Sequence, residues 1–180
     1  MPRNRQDQSR QDKRDEIIAA ASSLFLTEGY AGASMGKIAA AAGLTPNTLY
    51  WYFGDKDELF VAVADVYLHL LLQQHATVAE QPLGEQFVWL VDNLRPVRHL
   101  VATMHARVAR SSSIAEWHAG FHRQVEALFE DQLTIEVSGA QRDAEAAVVT
   151  FAIEGVVTHD LGSGATAELC HALARRLAAL

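Results

Sequence analysis

Apolar residues recur every three or four positions along most of the chain, as they do in amphipathic helices. No segment alternates apolar and polar residues in the way a half-buried strand would. We therefore predict an all-α protein of about nine helices, separated by glycine, proline and serine breaks. The predicted helices cover about 11–28, 34–42, a short segment from Thr45, 55–78, a short segment after Gly84, a segment from Pro96 through Val108, 113–138, 140–160 and 165–179.

The segment 34–56 predicts two short helices joined by a tight turn at Gly43. Ser34 and Thr45 are placed to cap the two helices, and Pro46 falls in the first turn of the second, where its missing N–H costs nothing. Ala39 is small where the helices would cross. The predicted miniature core of this helix-turn-helix comprises Ile38, Leu44, Leu49 and Tyr52.

The second helix of this pair would present a polar and aromatic face to solvent, because its apolar positions turn inward. A helix-turn-helix places such a helix in the major groove, with its N-terminal half against the base edges. The predicted DNA contacts are Ser34, Lys37, Thr45, Pro46, Asn47, Thr48, Tyr50, Trp51, Tyr52 and Lys56.

The same segment resembles the tetracycline-repressor-like (TetR) family of bacterial regulators. The resemblance covers roughly the first third of the chain, and the remainder is similar to the family only in length and helical pattern. Lys37 stands where the family often has an acidic residue, and Trp51 where it commonly has His. The matching positions are Ser34, Ile38-Ala39, Gly43-Leu44-Thr45, Leu49-Tyr50-Trp51-Tyr52-Phe53, Lys56 and Leu59.

The resemblance implies a homodimeric transcriptional regulator, which we expect to be a repressor released from a palindromic operator by a small hydrophobic effector. It divides the chain into a DNA-binding head, residues 1–54, and an effector-binding and dimerisation body, residues 55–180. Effector binding would move the linking helix, residues 55–78, and change the separation of two heads. A helical interaction adaptor with a vestigial head is the alternative, although an adaptor has no reason to keep the polar face of the second helix.

Charge is distributed unevenly between head and body. The net charge is −7, but residues 1–54 hold 6 basic and 5 acidic residues, whereas residues 55–180 hold 9 and 17. Local charge decides DNA binding because salt screens charges beyond about 8–10 Å. At the extreme N-terminus, a solvated and frayed segment explains the basic residues equally well. The basic groups of the head and its boundary are Arg3, Arg5, Arg10, Lys13, Arg14, Lys37 and Lys56.

No targeting or membrane segment is predicted. The first 14 residues lack the apolar core of a signal peptide, and no stretch approaches the ~20 apolar residues of a membrane span. We expect a bacterial cytoplasmic protein associated with the nucleoid. The single cysteine, Cys170, lies in an apolar helix and is interpreted as a packing residue rather than a reactive thiol.

Large apolar and polar side chains in the body are candidates for an effector pocket. At helical spacing each aromatic residue fits plain core as well as a pocket lining. The histidines beside the apolar stripes would need partners, a ligand or water if buried. The predicted pocket residues are Tyr67, Trp89, Met104, His105, Trp117, Phe121, Phe151 and Glu154.

Metal and catalytic sites are not predicted. His118 and His122 are four residues apart and could share a metal ion, but two ligands do not make a site, and no cysteine–histidine array accompanies them. The segment Gly162-Ser163-Gly164 lacks the strand-to-helix setting of a nucleophile elbow, and no glycine-rich phosphate loop follows a strand. We assign no metal, no cofactor and no enzymatic activity.

The last two helices are predicted to pair with their copies in a four-helix bundle, because a two-fold partner doubles the number of base pairs read. The final helix carries a leucine stripe, although packing within one subunit would give the same periodicity. The predicted interface residues are Val148, Phe151, Gly155, Leu169, Leu173 and Leu177.

Overall fold

The computed structural model describes residues 3–130, 139–159 and 161–178. These residues form α-helices and contain no strand, which confirms the all-α prediction. The predicted count of nine is approximate, since α5 runs into α6 through a 3-10 turn at Arg95–Val97. The helices are α1 Arg3–Gly32, α2 Met35–Ala41, α3 Pro46–Tyr52, α4 Lys56–His75, α5 Leu83–Leu94, α6 Arg98–Val108, α7 Ser112–Glu130, α8 Gly139–Thr158 and α9 Ser163–Leu177.

Several helix ends differ from the sequence-based bounds. α1 begins at Arg3 rather than near Gln11. Gly29, with φ 72°, breaks its helical geometry directly after the predicted end at residue 28, but one more turn follows to Gly32. α4 ends at His75, three residues before the predicted end. At the start of α7, Ser111 Oγ accepts from the Ile114 amide at 3.5 Å, so Ser111 takes the capping role predicted for Ser113.

The predicted end of the seventh helix, near Ser138, lies outside the described residues, as do Ile135, Asp160 and Leu180. None of the described helices is long and apolar enough to cross a membrane.

Two hydrophobic cores hold the described helices together. The first joins the head to the body, because Phe25 and Ile38 of the head are buried with Phe60 of α4, Met104 of α6 and Ile114 of α7. The head core therefore continues past residue 54 and includes the first half of α4.

The second core lies between α5, α7, α8 and α9 and includes Phe87, Val125, Ile153 and Cys170. α5 approaches α9 very closely at Gly84, where an added Cβ would lie 2.4 Å from His171 Cδ2. Burial raises the pKa of the Cys170 thiol to about 11, which favours the packing interpretation over a reactive thiolate.

Candidate functional site

The helix-turn-helix forms with the predicted caps and turn. Ser34 Oγ accepts from the Lys37 amide at 3.2 Å, and Thr45 Oγ1 accepts from the Thr48 amide at 3.3 Å. Gly43 adopts φ 67°, a left-handed conformation that favours glycine. Ile38, Ala39 and Leu49 are fully buried, while Leu44 and Tyr52 pack partly buried against them. The small core therefore fixes the angle between α2 and α3.

The outer face of α3 is exposed and carries polar and aromatic side chains. Trp51 is 63% exposed and Tyr50 50% exposed. The exposed residues of this face also include Thr45, Pro46, Asn47 and Thr48.

The N-terminal part of α1 lies beside this face. The Arg10 guanidinium lies 4.6 Å from the centre of the Trp51 ring, and that of Arg14 lies 4.5 Å from the Phe53 ring. These stacking contacts bring positive charge next to α3. The sequence placed both arginines in a basic segment but did not predict their aromatic partners.

Two lysines predicted to contact DNA also have partners within the protein. Lys37 is exposed and forms an ion pair with Glu28. Lys56 donates to the Tyr30 carbonyl at 2.8 Å, and its ammonium lies 4.1 Å from the Tyr30 ring centre. Burial, followed by the nearby Arg107, lowers the pKa of Lys56. A phosphate contact by Lys56 remains a prediction, to which the structure adds a packing role.

A polar network connects the head with α6. Arg107, near the end of α6, donates through Nε and Nη2 to the two carboxylate oxygens of Asp57, each at 2.7 Å. The Tyr30 hydroxyl, close to the break in α1, donates to the same carboxylate. The hydrogen bonds from Arg107, with that from Tyr30, lower the pKa of Asp57 despite partial burial. Burial and Asp57 in turn raise the pKa of Tyr30.

Asp57 lies in the first turn of α4, which Asp55 caps by accepting from the Glu58 amide at 2.8 Å. The Glu58 carboxylate accepts from the Gly54 amide at 2.8 Å. In a capping box it would accept from the amide of the N-cap residue Asp55, one position later. The junction between α3 and α4 is therefore held by side chains from α1, α4 and α6. Sequence pattern alone gives Asp57 and Arg107 no such role.

The body contains an apolar cavity of about 90 Å³ between α4, α5, the 3-10 turn, α6, α7 and α8. Trp117 and Phe121 form one wall, with stacked rings whose centres are 5.5 Å apart. Six of the eight predicted pocket residues line the cavity: Tyr67, Met104, His105, Trp117, Phe121 and Glu154.

The other two predicted pocket residues do not line this cavity. Trp89 packs partly buried in the second core and meets the His75 ring edge-to-face, with centres 5.8 Å apart. Phe151 is 60% exposed on the outside of α8. Both follow the helical period, which indicates that a residue is on an apolar face but does not indicate which neighbour covers it.

Polar groups gather at one end of the cavity. Glu154 is only 9% exposed, and its Oε1 lies 3.0 Å from His122 Nε2, while its Oε2 lies 3.3 Å from His105 Nε2. His118 also lines the cavity, although sequence pattern did not assign it there. Burial, followed by the neighbouring His122, lowers the pKa of His118.

The outer face of α8 and α9 is apolar. Val148 is 41% exposed, Phe151 60% and Leu169 47%. A groove of about 540 Å³ between the two helices is lined by residues that include Gly155 and Leu173. The prediction that Leu177 lies at the dimer interface is wrong. Leu177 is 3% exposed and packs in the second core of its own subunit, because the leucine stripe on α9 turns inward towards the C-terminal end of the helix.

Comparison with known proteins agrees with this architecture. Residues 17–63 match the model of the bacterial regulatory proteins of the tetR family. The chain is 43% identical over 53 residues to the HTH-type transcriptional regulator AcrR of Shigella flexneri, covering 29% of this chain and 25% of that protein. It is 28% identical over 115 residues to the HTH-type transcriptional repressor NicS of Pseudomonas putida, covering 61% and 50%. The chain thus spans half or less of the curated relatives' length.

A solved structure extends the similarity over the body. A candidate transcriptional regulator from Rhodococcus sp. RHA1 superposes with a TM-score of 0.73 and 26% identity, over 90% of this chain and 94% of that one. The relatives are transcriptional regulators, a non-enzymatic kind of protein. The head segment, residues 17–63, therefore matches the tetR family of bacterial regulatory proteins, and the fold of the whole chain is similar to that of the Rhodococcus regulator.

Proposed function

We propose that this protein is a ligand-responsive transcriptional repressor that binds an inverted-repeat operator as a homodimer. The observation that carries the proposal is the exposed face of α3, where Asn47, Trp51 and two threonines are held by a capped, packed helix-turn-helix. Amide and hydroxyl groups at the start of such a helix can donate to and accept from base edges.

Binding to genomic fragments tests this function directly. Fragments selected by the purified protein are expected to share an inverted repeat and to bind it far more tightly than a shuffled sequence of the same composition. Affinity is expected to fall steeply with salt, because several phosphates are neutralised by each dimer. Equal binding to selected and shuffled fragments would contradict the proposal.

The proposed effector is a small hydrophobic or aromatic molecule that enters the cavity of the body. The cavity of about 90 Å³ is smaller than the ~150 Å³ cavity that accommodates benzene. A larger ligand therefore has to displace a wall, and Met104 of α6 is one of those walls. Arg107 lies three residues further along α6 and binds Asp57, so movement of α6 would reach the first turn of α4.

Ligand binding can be followed through tryptophan fluorescence. Trp117 lines the cavity and Trp89 does not, so a bound aromatic compound is expected to change Trp117 emission. Trp89→Phe should retain the change and Trp117→Phe should lose it. A compound that binds but leaves operator affinity unaltered would disprove the proposed coupling for that compound, because a ligand with equal affinity for both states shifts no population.

The proposed dimer forms through the outer face of α8 and α9. Val148, Phe151 and Leu169 are exposed there beside a groove with small residues, which allows two copies to approach closely. A large exposed apolar patch on a monomer is unfavourable in water, and a second copy would cover it. We further propose that the protein acts in the bacterial cytoplasm, on chromosomal DNA.

A further inference from the structure

Three helices bring four metal-ligating side chains together at the polar end of the cavity. His105 comes from α6, His118 and His122 from α7, and Glu154 from α8. One nitrogen or oxygen atom of each lies within 4.8 Å of those of the other three. We call these four residues the histidine–glutamate cluster. The i, i+4 pair visible in the sequence is thus completed by two residues that are distant along the chain.

The cluster contains an unsatisfied polar atom. His118 Nε2 is buried and has no hydrogen-bond partner among the described residues. A buried ring nitrogen without a partner costs free energy unless something binds it. The imidazole rings of the cluster are close together, since the centre of the His118 ring lies 4.3 Å from that of His122 and 5.0 Å from that of His105.

We propose that His105, His118, His122 and Glu154 form a Zn²⁺ site. Three imidazole nitrogens and one carboxylate oxygen are a donor set that zinc accepts in tetrahedral geometry, whereas Mg²⁺ and Ca²⁺ prefer oxygen ligands. Glu154 supplies the negative charge of the cluster at the polar end of the cavity.

The geometry needs only a small contraction. With metal–ligand bonds of about 2.0–2.1 Å, tetrahedral ligand atoms lie roughly 3.3 Å apart. The Glu154 carboxylate is already close to this value, with Oε1 3.0 Å from His122 Nε2 and Oε2 3.3 Å from His105 Nε2, and one of the two oxygens would serve as the ligand. The remaining separations, up to 4.8 Å, would close by about 1.5 Å or less through side-chain rotation. His105 is the exposed member of the histidine–glutamate cluster. Because 35% of its side chain is accessible, an ion can reach the cluster from solvent.

A bound ion would tie α6, α7 and α8 together at the end of the cavity. Zn²⁺ binding is measured without DNA, so the site is tested independently of the proposed operator binding.

Cobalt and zinc titrations of metal-free, untagged protein test the site. One Co²⁺ per chain is expected to bind with the intense visible absorption of tetrahedral coordination and to be displaced by one Zn²⁺. Zn²⁺ should also raise the Tm of the wild-type protein, because it binds only the folded site. His118→Gln and Glu154→Gln should each weaken binding by at least about 100-fold, since loss of even an outer-sphere partner costs about 10- to 100-fold.

His69→Gln is the matched control. His69 is exposed and lies beside a carboxylate, with Nδ1 3.6 Å from Asp65 Oδ2, but outside the cluster. This variant should bind Zn²⁺ as the wild type does. Circular dichroism tests whether each variant is folded. If His118→Gln or Glu154→Gln does not fold, His122→Gln is used in its place.

Three results would overturn the proposal. They are fewer than one ion bound per chain, the weak absorption of octahedral Co²⁺, or wild-type affinity in folded variants of the cluster. Loss of binding in the cluster variants together with its retention in His69→Gln would establish the site.

Discussion

The head takes its proposed DNA contacts from one continuous segment, residues 34–56, whereas the body builds its cavity from five helices and a 3-10 turn. In the head, two side-chain caps and a glycine turn fix α3, so its outer residues can vary without loss of the fold. In the body, the residues that line the cavity are also the residues that pack the helices. Substitutions on the outer face of α3 should therefore alter recognition alone, while substitutions that line the cavity of the body should alter stability, ligand binding and operator affinity together.

The largest effect is expected from the body, at the outer face of α8 and α9. Phe151→Glu combined with Leu169→Glu should give a monomer in sedimentation, because both side chains are exposed and would face a second copy. Operator affinity should fall by about 10²- to 10⁴-fold, since two half-sites are no longer bound as one. Leu177 is left unchanged, because it is buried within its own subunit and charging it would unfold the protein.

Val66→Glu provides the control for this double variant. Val66 is 44% exposed on α4, a helix that is not part of the proposed interface, and its replacement should leave the oligomeric state unchanged. A double variant that remains dimeric with wild-type operator affinity would move the interface to another surface.

The head could be predicted from sequence more fully than the body for a physical reason. Caps, positive-φ glycines and the period of a short helix are local properties, so Ser34, Gly43, Thr45 and the exposed position of Trp51 followed from neighbouring residues. The cavity depends instead on which helices meet.

Periodicity predicted the apolar face of each body helix but not which helix packs against that face. It therefore placed Trp89 and Phe151 in the pocket and Leu177 at the dimer interface. It also identified two members of the histidine–glutamate cluster without their partners. His105 and Glu154 join His118 and His122 only through the packing of α6 and α8 on α7.

The next largest effect is expected on the exposed face of α3. Asn47→Ala and Trp51→Ala should each cost about 1–3 kcal/mol of operator binding if the side chain contacts a base edge, with little change on random DNA. Thermal stability should be unaffected, because both side chains are exposed. Competition titrations with operator and shuffled duplexes measure the difference. Equal losses on both duplexes would assign the residue to phosphate positioning instead.

A third prediction concerns the contact between the two regions. Asp57→Asn leaves the Arg107 guanidinium without its carboxylate and should lower the free energy of unfolding by about 1–3 kcal/mol near neutral pH. It should also reduce the effect of a bound ligand on operator affinity, because α6 and α4 are no longer joined by this ion pair. A Glu116→Gln variant, an exposed carboxylate on α7, is the control and should change neither quantity.

The same ion pair gives an expected pH dependence. The pKa of Asp57 is lower in the folded protein than in the unfolded chain, so its contribution to stability is present above the unfolded value of about 4 and is lost as the pH falls through the folded pKa. Wild type and Asp57→Asn should therefore converge in stability at acid pH. A difference that stays constant from neutral to strongly acid pH would show that the carboxylate charge is not what stabilises the junction.

The smallest effect is expected at the ion pair between Lys37 and Glu28. Both side chains are substantially exposed, so removing the pair should change stability by less than about 1 kcal/mol.

The two partners should affect DNA binding in opposite directions. Lys37→Gln removes a positive charge and should weaken binding to all sequences alike. The slope of log affinity against log salt concentration should become shallower by about one per subunit. Glu28→Gln frees the ammonium of Lys37 and removes a negative charge near the phosphates, so it should strengthen binding to all sequences. Titrations at several salt concentrations measure both slopes. If Glu28→Gln instead weakens binding, the pair orients Lys37 for its phosphate, and the charge of Glu28 is less important than the position it gives to its partner.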